Sequence, residues 1–115
     1  KQDITTSTLG LDFINNLRPV TYKWKPNNEL PKELPMYQEE NEKDTDIVMT
    51  GLVAQEVKAA IDSSGVNGFG AWGEDIHGVQ HISDALFVYP LIKAVQELKT
   101  KLEAAEARIK TLEDA

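Results

Sequence analysis

From Val88 to Leu112 an apolar side chain returns seven times, at intervals that alternate between three and four residues. Val88, Leu91, Val95, Leu98, Leu102, Ala105, Ile109 and Leu112 thereby occupy the a and d positions of a heptad. The pattern predicts a long helix with a narrow apolar seam that another helix must cover. Lys101 and Arg108 fall at g, and Glu106 and Glu113 at e, five residues later in each case. Parallel pairing of identical chains sets Lys101 against Glu106 and Arg108 against Glu113, a match that an antiparallel or foreign partner does not provide. Exposed pairs of this kind select orientation more than they supply affinity. The competing reading, an amphipathic helix lying on its own domain, calls for a wider and shorter stripe. The seam leaves the number of helices open. Val and Ile at a with Leu at d favour two, whereas Leu102 at a and Ala105 at d blur that preference.

Ahead of this rod, Thr6 or Ser7 is placed to cap a helix carrying Leu9, Leu11, Phe13, Ile14 and Leu17, which Pro19 ends. Val20 to Lys25 alternates apolar and polar and predicts a half-buried strand with Val20, Tyr22 and Trp24 facing inward. Residues 26–46 follow as a long loop in which Pro26, Pro31 and Pro35 exclude a regular helix or central strand. Ile47 to Val53 reads as a second strand leading into a helix over Ala54 to Asp62, stopped by Ser63-Ser64-Gly65. Gly65 to Gly78 holds five glycines around Phe69 and Trp72 and predicts an irregular excursion or loose hairpin, with a short strand at Val79 to Ile82. Ser83 or Asp84 is the expected cap of the tail helix. Pro90 either kinks that helix or marks its first turn. The expected class is α+β: a small mixed domain of short strands and helices at residues 1–85, and a C-terminal coiled-coil helix at 86–115.

Composition narrows the functions. The 115 residues carry a net charge of −7, which argues against nucleic acid as a partner. Five of those negative charges concentrate in residues 26–46, where seven acidic side chains face only Lys32 and Lys43. No apolar run approaches the roughly 20 residues that span a bilayer, no secretory signal is visible, and no membrane partner is expected. With no cysteine, disulfides and thiolate chemistry are excluded.

Conventional catalytic patterns are missing. Gly68, Gly70 and Gly73 have the wrong spacing and context for a phosphate loop. His77 and His81 lie four apart, yet Gly78, Val79 and Ile82 argue against the helix that would align them on a metal. Asp44-Thr45-Asp46 lacks the glycine and terminal glutamate of a calcium loop. Ser63 and Ser64 read as helix-terminating residues. No metal and no cofactor are expected.

Three segments carry a resemblance. Leu11-Asp12-Phe13-Ile14-Asn15-Asn16-Leu17-Arg18-Pro19-Val20-Thr21-Tyr22-Lys23-Trp24, Gly51-Leu52-Val53-Ala54-Gln55-Glu56-Val57 and Pro90-Leu91-Ile92-Lys93-Ala94-Val95-Gln96-Glu97-Leu98-Lys99 stand in this order. Together they resemble the C-terminal intramolecular chaperone domain of bacteriophage tailspikes, tail fibres and neck appendages. The resemblance implies a homotrimer at the end of a β-structured fibre of the same polypeptide, which it helps to fold in the host cytoplasm. It also implies release from the mature fibre by self-cleavage through a serine–lysine dyad. The family's Ser-Asp-x-x-x-Lys pattern places its lysine at Lys1, ahead of Gln2-Asp3-Ile4. The serine would lie five residues earlier and is not in this chain, so catalysis carries over on Lys1 alone. Two alternatives stand beside this expectation: a unit that remains an active self-cleaving peptidase, and a plain oligomerisation or adaptor module.

Overall fold

The computed structural model describes all of residues 1–115. Its elements are α1 (Leu11–Asn15), β1 (Val20–Tyr22), β2 (Met49–Gly51), α2 (Ala54–Ser64), β3 (Trp72–Glu74), β4 (Gln80–Ile82) and α3 (Val88–Glu113), with 3-10 turns at Asn27–Glu29 and Asp84–Phe87. The strands form two separate antiparallel pairs. In one, Val20 stands opposite Gly51 and Tyr22 opposite Met49. In the other, Trp72 stands opposite Ile82 and Glu74 opposite Gln80.

A two-stranded pair is marginal by itself and needs a helix against it. Here the helices supply the core. Leu9, Phe13, Val57, Ala60, Ile61, Ala71 and Phe87 are its buried side chains, with Leu52, Phe69, Ile82 and Leu86 packed around them. Three phenylalanines join α1, the glycine-rich segment and the start of α3. Phe69 meets Phe13 and Phe87 edge-on, at centroid distances of 5.6 and 5.3 Å. Such edge-to-face contacts add to the burial term. On the surface, Arg18 clamps Glu56 in a two-pronged pair, Nε to Oε1 at 2.9 Å and a terminal nitrogen to Oε2 at 2.6 Å. That pair ties the turn after α1 to the first turn of α2.

The structure departs from the expected elements in several places. Ser7 does not cap a helix: its Oγ accepts the N–H of Leu9 two residues on, at 3.2 Å, and α1 starts only after Gly10. The strand predicted through Lys25 ends at Tyr22, and Trp24 is 44% exposed, not inward. Its ring instead lies edge-on to Tyr22, with the Lys43 ammonium 4.1 Å from its centre. β2 is three residues long and α2 runs on to Ser64, where Gly65 closes it with φ of 74°. Only a residue without Cβ takes that left-handed position without strain. The hairpin expected from the glycine-rich excursion does form, as β3 and β4, and is closed by Asp75, whose Oδ1 accepts the N–H groups of His77 and Val79.

The acidic loop is folded back on itself. Asn27, buried within this charged segment, donates through Nδ2 to the Met36 carbonyl at 3.0 Å and accepts the Glu42 N–H at 3.1 Å. Asn41 returns the interaction, its Oδ1 accepting the Asn27 N–H at 3.1 Å. Two amide side chains thus cross-brace the segment without a hydrophobic core. At the entry to α3, Pro90 lies in the first turn, where a missing N–H costs no intrahelical bond. Neither Ser83 nor Asp84 makes a side-chain cap there; a 3-10 turn runs directly into the helix.

Candidate oligomerisation interface

α3 contains 26 residues, about 39 Å at the α-helical rise, in a molecule 73 Å long. The helix uses two different faces. Toward its own domain it presents Pro90 and Ala94, both buried, with Lys93 and Glu97 half-buried beside them. α1 seats here because position 10 is glycine. A Cβ built on Gly10 would fall 1.8 Å from Glu97 Oε1 and 2.8 Å from Lys93 Cγ. Glu97 also faces the open start of α1, accepting the Leu11 N–H at 3.4 Å. These docking residues fall at c, f and g of the heptad.

The a and d seam is a separate face, and it is bare. Val88 is 46% exposed, Val95 63%, Leu102 58% and Leu112 68%. Leu91, Leu98, Ala105 and Ile109 are exposed as well. The apolar stripe is therefore not what holds the helix on its domain, against the reading of an amphipathic helix docked through that stripe. From Leu98 to the end of the chain every residue is exposed. Lys101, Glu106, Arg108 and Glu113 are exposed too, and none pairs within the chain; the one ion pair on α3 is Lys99 with Glu103 at 3.8 Å.

Lys1 lies exposed at the head of the irregular segment that reaches α1 through Gly10. His77 sits in the hairpin turn and His81 on β4, both exposed, and no group of three or more potential ligand side chains gathers around a metal position. No helix is long and apolar enough to cross a membrane. Two elements of the architecture were not read from the sequence: the Gly10–Glu97 contact, which joins residues 87 positions apart, and the buried Asn27. A glycine just ahead of an apolar helix hinted at the first; nothing marked the second.

Taken together, the structure defines a small α+β module whose long helix carries an exposed apolar seam apart from the face that anchors it. The family described as chaperone of endosialidase, a peptidase family, matches residues 1–66, more than half of the chain, and the chain belongs to it. That membership supports a chaperone role of the kind carried by the intramolecular chaperone domains of phage tail proteins. The match takes in the α1–β1 and β2–α2 motifs and ends ahead of the β3–β4 hairpin and α3, so the resemblance noted in Pro90 to Lys99 lies beyond it. No curated protein and no solved structure matches the chain.

Proposed function

We propose that the chain is an intramolecular chaperone that gathers three copies through a parallel α3 coiled coil and assists folding of a β-structured fibre in the same polypeptide. The observation that carries the reading is the exposed a and d stripe on a helix already fixed to its domain by another face. Leaving seven large apolar side chains of the seam in water along one line is costly for an isolated chain, and a parallel copy removes them together. The charges at g and e support the parallel, self-matched arrangement over the reverse.

The benefit follows from the partner's topology. Intertwined β-fibres depend on non-local contacts, fold slowly and expose unpaired edges meanwhile. Tying three chain ends in register raises their effective concentration. Self-cleavage then releases the domain and leaves the fibre protected by its unfolding barrier. In this reading Lys1 is the base of a serine–lysine dyad. A lysine serves as base only when neutral, which burial favours. Lys1 is exposed in the single chain, so association provides that burial and cleavage waits for assembly.

Two experiments test the reading. Sedimentation equilibrium of the chain over a wide concentration range should show reversible or stable association; a monomer throughout refutes the seam's role. Refolding the attached fibre with and without this domain should show a higher yield of native fibre with it. Equal yields leave only a plain oligomerisation module. For the dyad, a longer precursor carrying Lys1→Ala should remain uncut.

A further inference from the structure

We propose that Asn67-Gly68 is a self-modification site: without an enzyme, the asparagine there becomes an isoaspartyl linkage, and the altered backbone loosens the core at Phe69. The chemistry needs only the single chain and does not depend on how α3 pairs.

Asparagine is chemically labile, because the backbone nitrogen of the next residue can attack its side-chain amide. A side chain on that next residue crowds the approach, and hydrogen bonds that hold either group restrain it. Both restraints are missing at one place. Asn67 is the one asparagine of this chain that a glycine follows. Both residues are exposed and lie outside helix and strand, between the Gly65 cap of α2 and β3. Neither the Asn67 carboxamide nor the Gly68 N–H has a hydrogen-bond partner within the chain. A Cβ built on Gly68 would meet nothing within 4 Å, so the surroundings leave the approach open as well.

The other asparagines are restrained. The N–H groups that follow Asn15, Asn16 and Asn28 donate to the Phe13, Ile14 and Pro26 carbonyls at 3.1, 3.1 and 3.0 Å. Asn27 and Asn41 have both ends of their carboxamides engaged.

At position 67 the Gly68 nitrogen loses its proton to hydroxide and attacks Cγ of Asn67. The Cγ–Nδ2 bond breaks, and the nitrogen takes a proton from water and leaves as ammonia. A five-membered imide remains, which water opens at either carbonyl. Opening at Cγ gives an ordinary aspartyl residue. Opening at the main-chain carbonyl routes the chain through Cβ and Cγ, which lengthens the backbone by a methylene. Either product adds a negative charge to a chain already at −7.

The position decides the consequence. Two residues on, Phe69 meets Phe13 and Phe87 edge-on at 5.6 and 5.3 Å, and Ala71 beyond it is buried. The link from Gly65 to Phe69 is Val66-Asn67-Gly68 alone. An extra backbone atom in so short a link displaces Phe69, and close-packed cores respond to changes of that size.

The test incubates the full chain at mildly acidic and mildly alkaline pH. The tryptic fragment covering residues 59–93, in which Asn67 is the sole asparagine, is followed by mass spectrometry with fragmentation that separates aspartyl from isoaspartyl linkages. Conversion at position 67 should rise with hydroxide and outpace that at every other asparagine. Gly68→Ala should slow it on the order of tenfold. That variant keeps the fold, because Gly68 has open space and no positive φ. The isoaspartyl fraction should melt several degrees below the fresh chain. Freshly prepared Asn67→Asp, which adds the charge without the methylene, should melt close to it. Conversion no faster than at Asn16 or Asn28, or unchanged in Gly68→Ala, overturns the site. An isoaspartyl fraction that melts with the fresh chain overturns the effect on the core.

Discussion

The carboxylate of Glu97 occupies the space that a side chain at position 10 would need, so Gly10 and Glu97 are the joint by which α1 and α3 approach each other. The constraint on position 10 is steric: a Cβ there would run into the Glu97 carboxylate and the Lys93 stem. Gly10→Ala should therefore push Glu97 aside, break its bond to the Leu11 N–H and cost about 1 kcal/mol. Glu97→Ala should cost a similar amount by itself. The double variant should be less damaged than the sum of the two, because the collision with the carboxylate is gone and only the approach to the Lys93 stem remains; a double-mutant cycle by urea denaturation measures the coupling.

Phe13 is 3% exposed and touches both other core phenylalanines, with Phe87 stacked at 6.5 Å. Phe13→Ala should cost about 3–5 kcal/mol, the usual range for emptying a buried aromatic site. In a core of seven side chains that is enough to unfold much of the population. Loss of the cooperative thermal transition in the dilute chain is the measurement.

Asn27→Ala removes the donor to Met36 and the acceptor for Glu42 together. The partners sit near the surface, so the cost should fall within about 1–3 kcal/mol and remain local. The expected result is faster proteolysis within residues 26–46 with the thermal transition of the domain little changed. Asn27→Asp keeps the acceptor for Glu42 and loses the donor, and should lie between the two.

The Asp75 carboxylate, bonded by the Val79 N–H and then by that of His77, is held below its ordinary value of 3.8, with partial desolvation working the other way. The charges of His77 and His81 add to the lowering. A depressed folded-state value means that the ionised form favours the folded hairpin above about pH 4, and that this contribution is lost as pH falls through the lower folded value. Glu56, hydrogen-bonded by Arg18, moves in the same direction. Amide protection over residues 72–82, referred to the intrinsic exchange rate at each pH, should therefore fall on acidification, and Asp75→Asn should flatten that response by keeping the acceptor oxygen without the charge.

Leu102→Asp alters the seam where the helix has left its domain, at a residue 58% exposed in the single chain. Self-association should fall by several orders of magnitude, since each copy would bury a charge. The melting of the dilute chain should not move. A drop in dilute-chain stability would mean that the stripe serves the fold after all.

The long helix, α2 and the α1–β1 order were legible because each rests on local periodicity and on stop signals such as Gly65. The expected inward Trp24 failed for a physical reason. Alternation assigns faces only while a strand continues, and β1 ends at Tyr22, leaving Trp24 to pack on Tyr22 and Lys43. Asn27 was invisible because a buried amide is recognised by the backbone groups it satisfies, and these come from residues up to 15 positions away. The seam could be read because a heptad is a statement about a neighbour, whereas Glu97's place at Gly10 depends on how two helices cross.

Because nothing beyond Leu98 leans on the globular part, the protruding segment can be shortened or extended by whole sevens without disturbing how each monomer folds. Its length would then act as a timer, setting how long assembled copies stay joined before they drift apart.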